Sequence, residues 1–220
     1  MLGQHESNWR TDVMMYKILA LLVLVIFYAI YFIKMWVQKK HGIQTHQIGK
    51  RKEKELHLVE RLMSVATLCA PVVQVVSIFM NWTWLHDSAR FSGFLGGILG
   101  DGIFLTAVIT MKNSWCAGIP ESDKTDLIQD GIYGWSRNPA FLGFDFMYIG
   151  VCLLFCNPLT IAFSIFAIVM LHLQILQEEK YLTAAFGKPY IEYKAQVFRY
   201  LVNISHHRHL RYALWLHQYV

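Results

Sequence analysis

The sequence predicts an all-α, multi-pass transmembrane protein of about five spans, and three observations carry that expectation. First, 55% of the 220 residues are hydrophobic and only 16% are charged, where a soluble domain carries roughly 25% charged residues. Second, charge-poor apolar runs recur at or near the ~17–25 residues that a spanning helix needs. Third, sixteen of the twenty Lys and Arg fall in segments that alternating spans would place on one side of a bilayer.

The runs in chain order give candidate spans at 13–37, 62–84, 91–111, 140–156 and 159–176, all within one membrane-embedded domain, 1–220. The first contains ILALLVLVIFYAIYFI, with Lys17 and Lys34 able to snorkel at its ends. It is too long for a secretory apolar core, and Lys39-Lys40 follows it as a stop-transfer flank. The second is uncharged and closes on Asn81, Trp82 and Trp84, an interfacial aromatic cluster. The third carries one charge, Asp101, and the fourth one, Asp145. The fifth carries none, and Asn157-Pro158 ties the last two, the shortest, into a tight hairpin.

Basic residues set the orientation. The loop from Gln38 to Arg61 and the segments after Met111 and Leu176 are Lys/Arg-rich, while Arg10, Lys17 and Arg90 lie opposite. The positive-inside rule therefore predicts an external N-terminus and a cytosolic C-terminus. The net charge of +5 follows from this asymmetry and suits an anionic inner leaflet, so the expected partners are membrane lipids and not nucleic acid. The sequence leaves the oligomeric state open. The four cysteines have no CxxC spacing, and three fall in apolar runs, as core thiols do. His206-His207-Arg208-His209 lacks Cys or carboxylate partners at ligand spacing, so no metal is expected.

Chemistry concentrates between Asp130 and Arg199. Gly131-Ile132-Tyr133 and Ser136-Arg137-Asn138-Pro139 lead into the hairpin, and Glu178-Glu179 follows its exit. Pro139 suits a helix start, and such a start presents free N–H groups and a positive dipole end to an anion, which Arg137 can grip bidentately. Acids at a helix C-terminus oppose the macrodipole and disfavour each other's ionised form, and a cationic ligand offsets both penalties. Gly100 and Gly102 flank Asp101 and allow close approach by a helix or a ligand. Tyr190, Tyr193 and Val197 share one face of an amphipathic cytosolic helix, a candidate cover for the pocket.

At these residues the chain resembles the membrane-embedded isoprenylcysteine carboxyl methyltransferase and phospholipid N-methyltransferase superfamily. GIYGWSRNPAFLG, then QEEKYL, then FGKPYIEYKAQVFR follow the family's order of GIY, R-H-P, a hairpin, EE and FG..Y..Y. The resemblance implies S-adenosylmethionine (SAM) bound at the cytosolic face by a region spanning 127–199, and methyl transfer to a lipidic or membrane-borne acceptor, an isoprenylcysteine-type carboxylate or a phospholipid amine. It implies Arg137 and Glu178 as catalytic residues. It places Tyr133, Arg137, Asn138, Pro139, Glu178 and Glu179 at the cofactor, with Gly100 and Gly102 matching the GxG of the phospholipid enzymes. Phe141, Tyr190, Tyr193 and Arg199 would contact substrate or close the pocket. Asn138 stands where the pattern has His and cannot titrate near neutrality; Phe141 stands where it often has Tyr. A membrane reductase of the sterol-reductase type and a non-catalytic scaffold are the alternative readings.

Overall fold

A computed structural model describes residues 2–41, 54–115 and 126–201, with the side chains of 2–10, 54–57 and 113 left aside. Cys116, Lys50-Arg51-Lys52 and the histidine cluster 206–209 lie outside these residues. The described chain is helical, without strands: α1 Leu2–Lys40, α2 Lys54–Met80, α3 Asp87–Met111, α4 Pro139–Leu154, α5 Pro158–Phe186 and α6 Lys188–Gln196, with short 3-10 turns at Lys112–Ser114 and Gly131–Gly134. It is a multi-pass helical membrane protein. Parts of four helices are long and apolar enough to cross a bilayer (Thr11–Lys40, Leu58–Met80, Asp87–Met111 and Pro158–Phe186), and α4 is a shorter apolar helix of 16 residues. Their outward faces carry exposed Val25, Phe32, Leu68, Phe79, Leu95 and Ile109, as lipid-facing surfaces do.

Hydrogen bonds between helix ends fix the passes. At one face Tyr16 donates to the Asp87 carbonyl, Lys17 to Phe79 O, and Asn157 Nδ2 to Trp82 O. At the other, Lys34 donates to Lys112 O and Gln38 to Trp115 O. Hence α1, α3 and α5 run parallel, and α2 and α4 run back between the same two faces.

Two of the helix ends that depart from the expected spans do so for local reasons. α2 stops at Met80, four residues early, because Asn81 takes a left-handed conformation (φ 52°). The Asn81 N–H then reaches Ile78 O and the Trp82 N–H reaches Ser77 O, which closes the last turn. Trp82 and Trp84 therefore sit in the connecting turn. α5 starts as expected: Asn157 accepts from the N–H groups of Leu159 and Thr160, and Thr160 Oγ1 accepts from the Asn157 N–H, a capping box ahead of Pro158. It continues ten residues past 176 to Phe186, where Gly187 (φ 58°) ends it.

The tightest contact joins α3 and α4 through small residues. A Cβ on Gly150 would lie 2.5 Å from Gly97 N, and one on Gly100 would lie 2.8 Å from Gly143 O. In lipid, where apolar burial does not drive helices together, such backbone approach supplies the dispersion that holds a pair. Around it Phe27, Phe104, Phe144 and Tyr148 form the aromatic core.

Candidate active site

At the face holding Lys34, Lys112 and α6, two cavities share a wall. The larger, about 540 Å³, is lined by aromatic and aliphatic groups of α1, α2, α4 and α5, including Tyr28, Tyr31, Phe32, Met63, Leu68, Val72 and Phe144. The smaller, about 130 Å³, is lined by Tyr133, Arg137, Asn138, Tyr181, Phe186, Tyr190 and Tyr193 among others. Four residues line both: Trp115, Ala140, Phe141 and Glu178.

The start of α4 supplies Ala140 and Phe141. Pro139 occupies its first turn, and no side chain caps it. Asn138, at the N-cap position, instead donates through Nδ2 to Arg199 O at 3.1 Å. The first N–H groups of this helix therefore have no intrahelical partner at the wall between the cavities. Trp115 is buried, packs edge-on to Tyr31 (5.6 Å) and Phe104 (6.3 Å), and is held by the Gln38 amide at 2.7 Å.

The two glutamates face different sides of α5. Glu178 faces both cavities and accepts from Gln174 Nε2 at 3.2 Å. Glu179, its side chain 5% exposed, lines neither and meets cations of the chain itself. Arg137 Nη2 donates to it at 2.7 Å, Arg199 grips it bidentately through Nε (3.0 Å) and Nη2 (2.8 Å), and Lys194 Nζ lies at 3.8 Å. The hydrogen bond from its guanidinium to Glu179 raises the Arg199 pKa above its usual value. Arg137 Nη1 donates to the carbonyls of Lys194 (2.9 Å) and Val197 (2.8 Å), and the Arg137 N–H donates to Phe198 O. This cluster straps residues 194–199 across the start of α4.

The helix α6 closes one side of the smaller cavity. Tyr190, Tyr193 and Val197, the face marked by their spacing, are buried against Leu127, Leu182 and Phe186. Tyr193 donates to Tyr133 O at 2.7 Å. Burial pushes the Tyr190 hydroxyl up to about 12 and raises that of Tyr193, so both stay neutral donors.

The expected site residues thus separate. Tyr133, Arg137, Asn138, Phe141, Glu178, Tyr190 and Tyr193 gather around the cavities, and Pro139 shapes the helix start beside them. Arg199 and Glu179 form the clamp behind, with Arg137 reaching from one group to the other. Gly100 packs on α4, a Cβ at Gly102 would meet nothing within 4 Å, and neither glycine lines either of these two cavities. Glu178 and Glu179 lie two turns inside α5, so the argument from a helix C-terminus does not hold; the dipole acts only within the last turn. Asp101 is buried outside both linings, and neither carboxyl oxygen has a partner among the described residues. Trp115 and Gln174 are additions. Gln174 was detectable as a lone amide in an apolar run four residues before Glu178; Trp115 sits in a polar connection with no periodic signal. Cys69, Cys152 and Cys156 are free and half-buried, and no group of three metal-ligating side chains occurs among the described residues.

Residues 94–184 match the family model for the isoprenylcysteine carboxyl methyltransferase (ICMT) family. The chain is 38% identical over 108 residues to the protein-S-isoprenylcysteine O-methyltransferase of Saccharomyces cerevisiae, covering 48% of this chain and 45% of that protein. It is 28% identical over 160 residues to protein-S-isoprenylcysteine O-methyltransferase B of Arabidopsis thaliana, covering 71% and 79%. With the Homo sapiens protein-S-isoprenylcysteine O-methyltransferase it shares 27% identity over 119 residues, 52% and 40%. The matched part is less than half the length of the yeast and human proteins and about four fifths of the plant one. From α3 through most of α5, where both cavities take part of their walls, this chain is ICMT-like.

Proposed function

We propose that the chain is a SAM-dependent methyltransferase whose acceptor is an isoprenylcysteine-type carboxylate delivered from the lipid phase. One observation carries the reading: an apolar cavity and a smaller, tyrosine-lined cavity meet at a wall bearing both a carboxylate and an open helix start. A transfer between a lipidic and a polar reactant requires that juxtaposition.

The residues fit the donor's charges. SAM combines a sulfonium, an ammonium and a carboxylate. Around the smaller cavity stand the Glu178 carboxylate, the neutral hydroxyls of Tyr190 and Tyr193, and Arg137, whose buried Nε has no hydrogen-bond partner among the described residues. The smaller cavity encloses only part of a molecule that size. When bound, SAM supplies an electrophilic methyl group on a cationic sulfur.

The protein's part is alignment and exclusion of water. Glu178 offers negative charge at the wall, and the uncapped start of α4 offers N–H groups to a carboxylate. Trp115, Phe141 and Phe144 keep the meeting point dry. Phe32, Leu68 and Val72, exposed on the lipid side, line the larger cavity and mark where a prenyl chain enters. A carboxylate acceptor is already ionised and needs no base, which suits Asn138 at the position where the family pattern has His. Holding two reactants in near-attack geometry can supply about 7–11 kcal/mol. Glu179 and Arg199 act behind the site as positioning residues, with Arg137 between the two roles. The site face carries most of the basic residues, which supports a cytosolic active site and C-terminus with the N-terminus outside.

Detergent-solubilised protein incubated with methyl-labelled SAM, a prenylated N-acylcysteine and phosphatidylethanolamine tests the proposal. Label in a base-labile ester of the prenylcysteine is the expected result. Label in the amine headgroup, or in neither, rejects it.

A further inference from the structure

Gln174 lies one helical turn from Glu178 on α5, is 1% exposed, and lines the larger cavity. Its Nε2 donates to Glu178 Oε1 at 3.2 Å. A carboxylate only accepts, so this bond fixes which end of the amide faces Glu178. The other end, Oε1, is buried and has no hydrogen-bond partner among the described residues. An acceptor atom in that state is costly to maintain unless an occupant satisfies it, and the lining around it is otherwise mostly apolar.

We infer that Gln174 is a specificity-determining residue that reads an N–H group on the acceptor, beside its apolar tail. The inference rests on the prenylcysteine reading and deepens it. In such an acceptor the amide nitrogen is bonded to the carbon that bears the carboxylate. With the carboxylate at the wall formed by Glu178 and the α4 start, that N–H falls within reach of a side chain one turn away, where i and i+4 positions stand about 5–6 Å apart. The tail then fills the space lined by Tyr28, Phe144 and Leu171. Gln174 thereby distinguishes a peptide-linked prenylcysteine from other prenylated acids.

Two acceptors isolate the contact: an S-prenylated N-acylcysteine and an S-prenylated 3-thiopropionate, alike in tail, thioether and carboxylate and different in the amide. Wild-type protein is expected to show a lower KM for the amide acceptor, by roughly five- to tenfold, the scale of one hydrogen bond. In Gln174→Met and Gln174→Leu the lost donor to Glu178 acts on both acceptors alike, so the reading is the ratio of the two KM values, which should fall from that factor to about one while residual turnover of the thiopropionate reports a folded site. A KM ratio unchanged from wild type in both variants would assign Gln174 to orienting Glu178 alone and overturn the inference. Equal KM values in wild type, or loss of both activities in both variants, would overturn it too. If wild type methylates neither acceptor, the acceptor reading itself falls, and this inference with it.

Discussion

Glu178 and Glu179 are neighbours of identical chemistry, and the fold gives them opposite work. A helix turns about 100° per residue, so one carboxylate faces the two cavities with Gln174 as its hydrogen-bond donor, while the other faces backwards into Arg137, Arg199 and Lys194. A buried charge is retained where it is paired or where it meets a ligand. Glu179 is paired by the chain, and Glu178 stands where a ligand would reach it. The pair of acids is therefore a boundary between a structural face and a chemical face of one helix.

Removing the clamp should have the largest effect. Glu179→Ala leaves the buried Arg137 guanidinium and the partly exposed Arg199 guanidinium without their carboxylate and is expected to destabilise the protein by about 3 kcal/mol, the lower end for a broken buried pair, measured by thermal melting in detergent with and without SAM. Glu178→Gln should leave the melting temperature nearly unchanged and lower methyl transfer by roughly 100-fold, the scale of losing one well-placed electrostatic contact; initial rates with labelled SAM check it. Equal melting losses for the two variants would erase the distinction. Gly150→Ala forces a Cβ against the Gly97 backbone and should cost about 1–3 kcal/mol, weakening the α3–α4 platform that carries Ala140 and Phe141. Asn157→Ala removes the α5 cap at the opposite face and should cost about 1 kcal/mol with kcat unaltered. Gly102→Ala, with open space around it, should be close to neutral for stability and for SAM affinity; a large affinity loss would return the GxG segment to the cofactor site.

Much of the architecture was legible because lipid imposes simple rules. Uncharged runs marked the spans, Asn157-Pro158 marked the hairpin turn, and the spacing of Tyr190, Tyr193 and Val197 marked the buried face of α6. The length of α5 was not legible from apolarity, since the polar Gln177-Glu178-Glu179-Lys180 interrupts the apolar run before Leu182 and Phe186 pack on α6. The end of α2 depended on one left-handed Asn, which hydropathy does not register. Within the candidate site, the sequence placed Arg137, Glu178 and Glu179 in one region but could not assign sides. Glu178 and Glu179 were read as one acidic pair, and Arg137 as a free cation, because the clamp joins segments 20 to 60 residues apart. For Gly100 the sequence favoured packing over ligand approach, and α4 packs against it.

Calorimetric titration of SAM into folded wild-type and Glu178→Gln protein, with Glu178→Gln melting at the wild-type temperature, tests the assignment most directly. The account predicts that the substitution weakens SAM binding by at least about tenfold, one charge-assisted contact being worth roughly 1.5–3 kcal/mol. Unchanged affinity in the folded variant would contradict it.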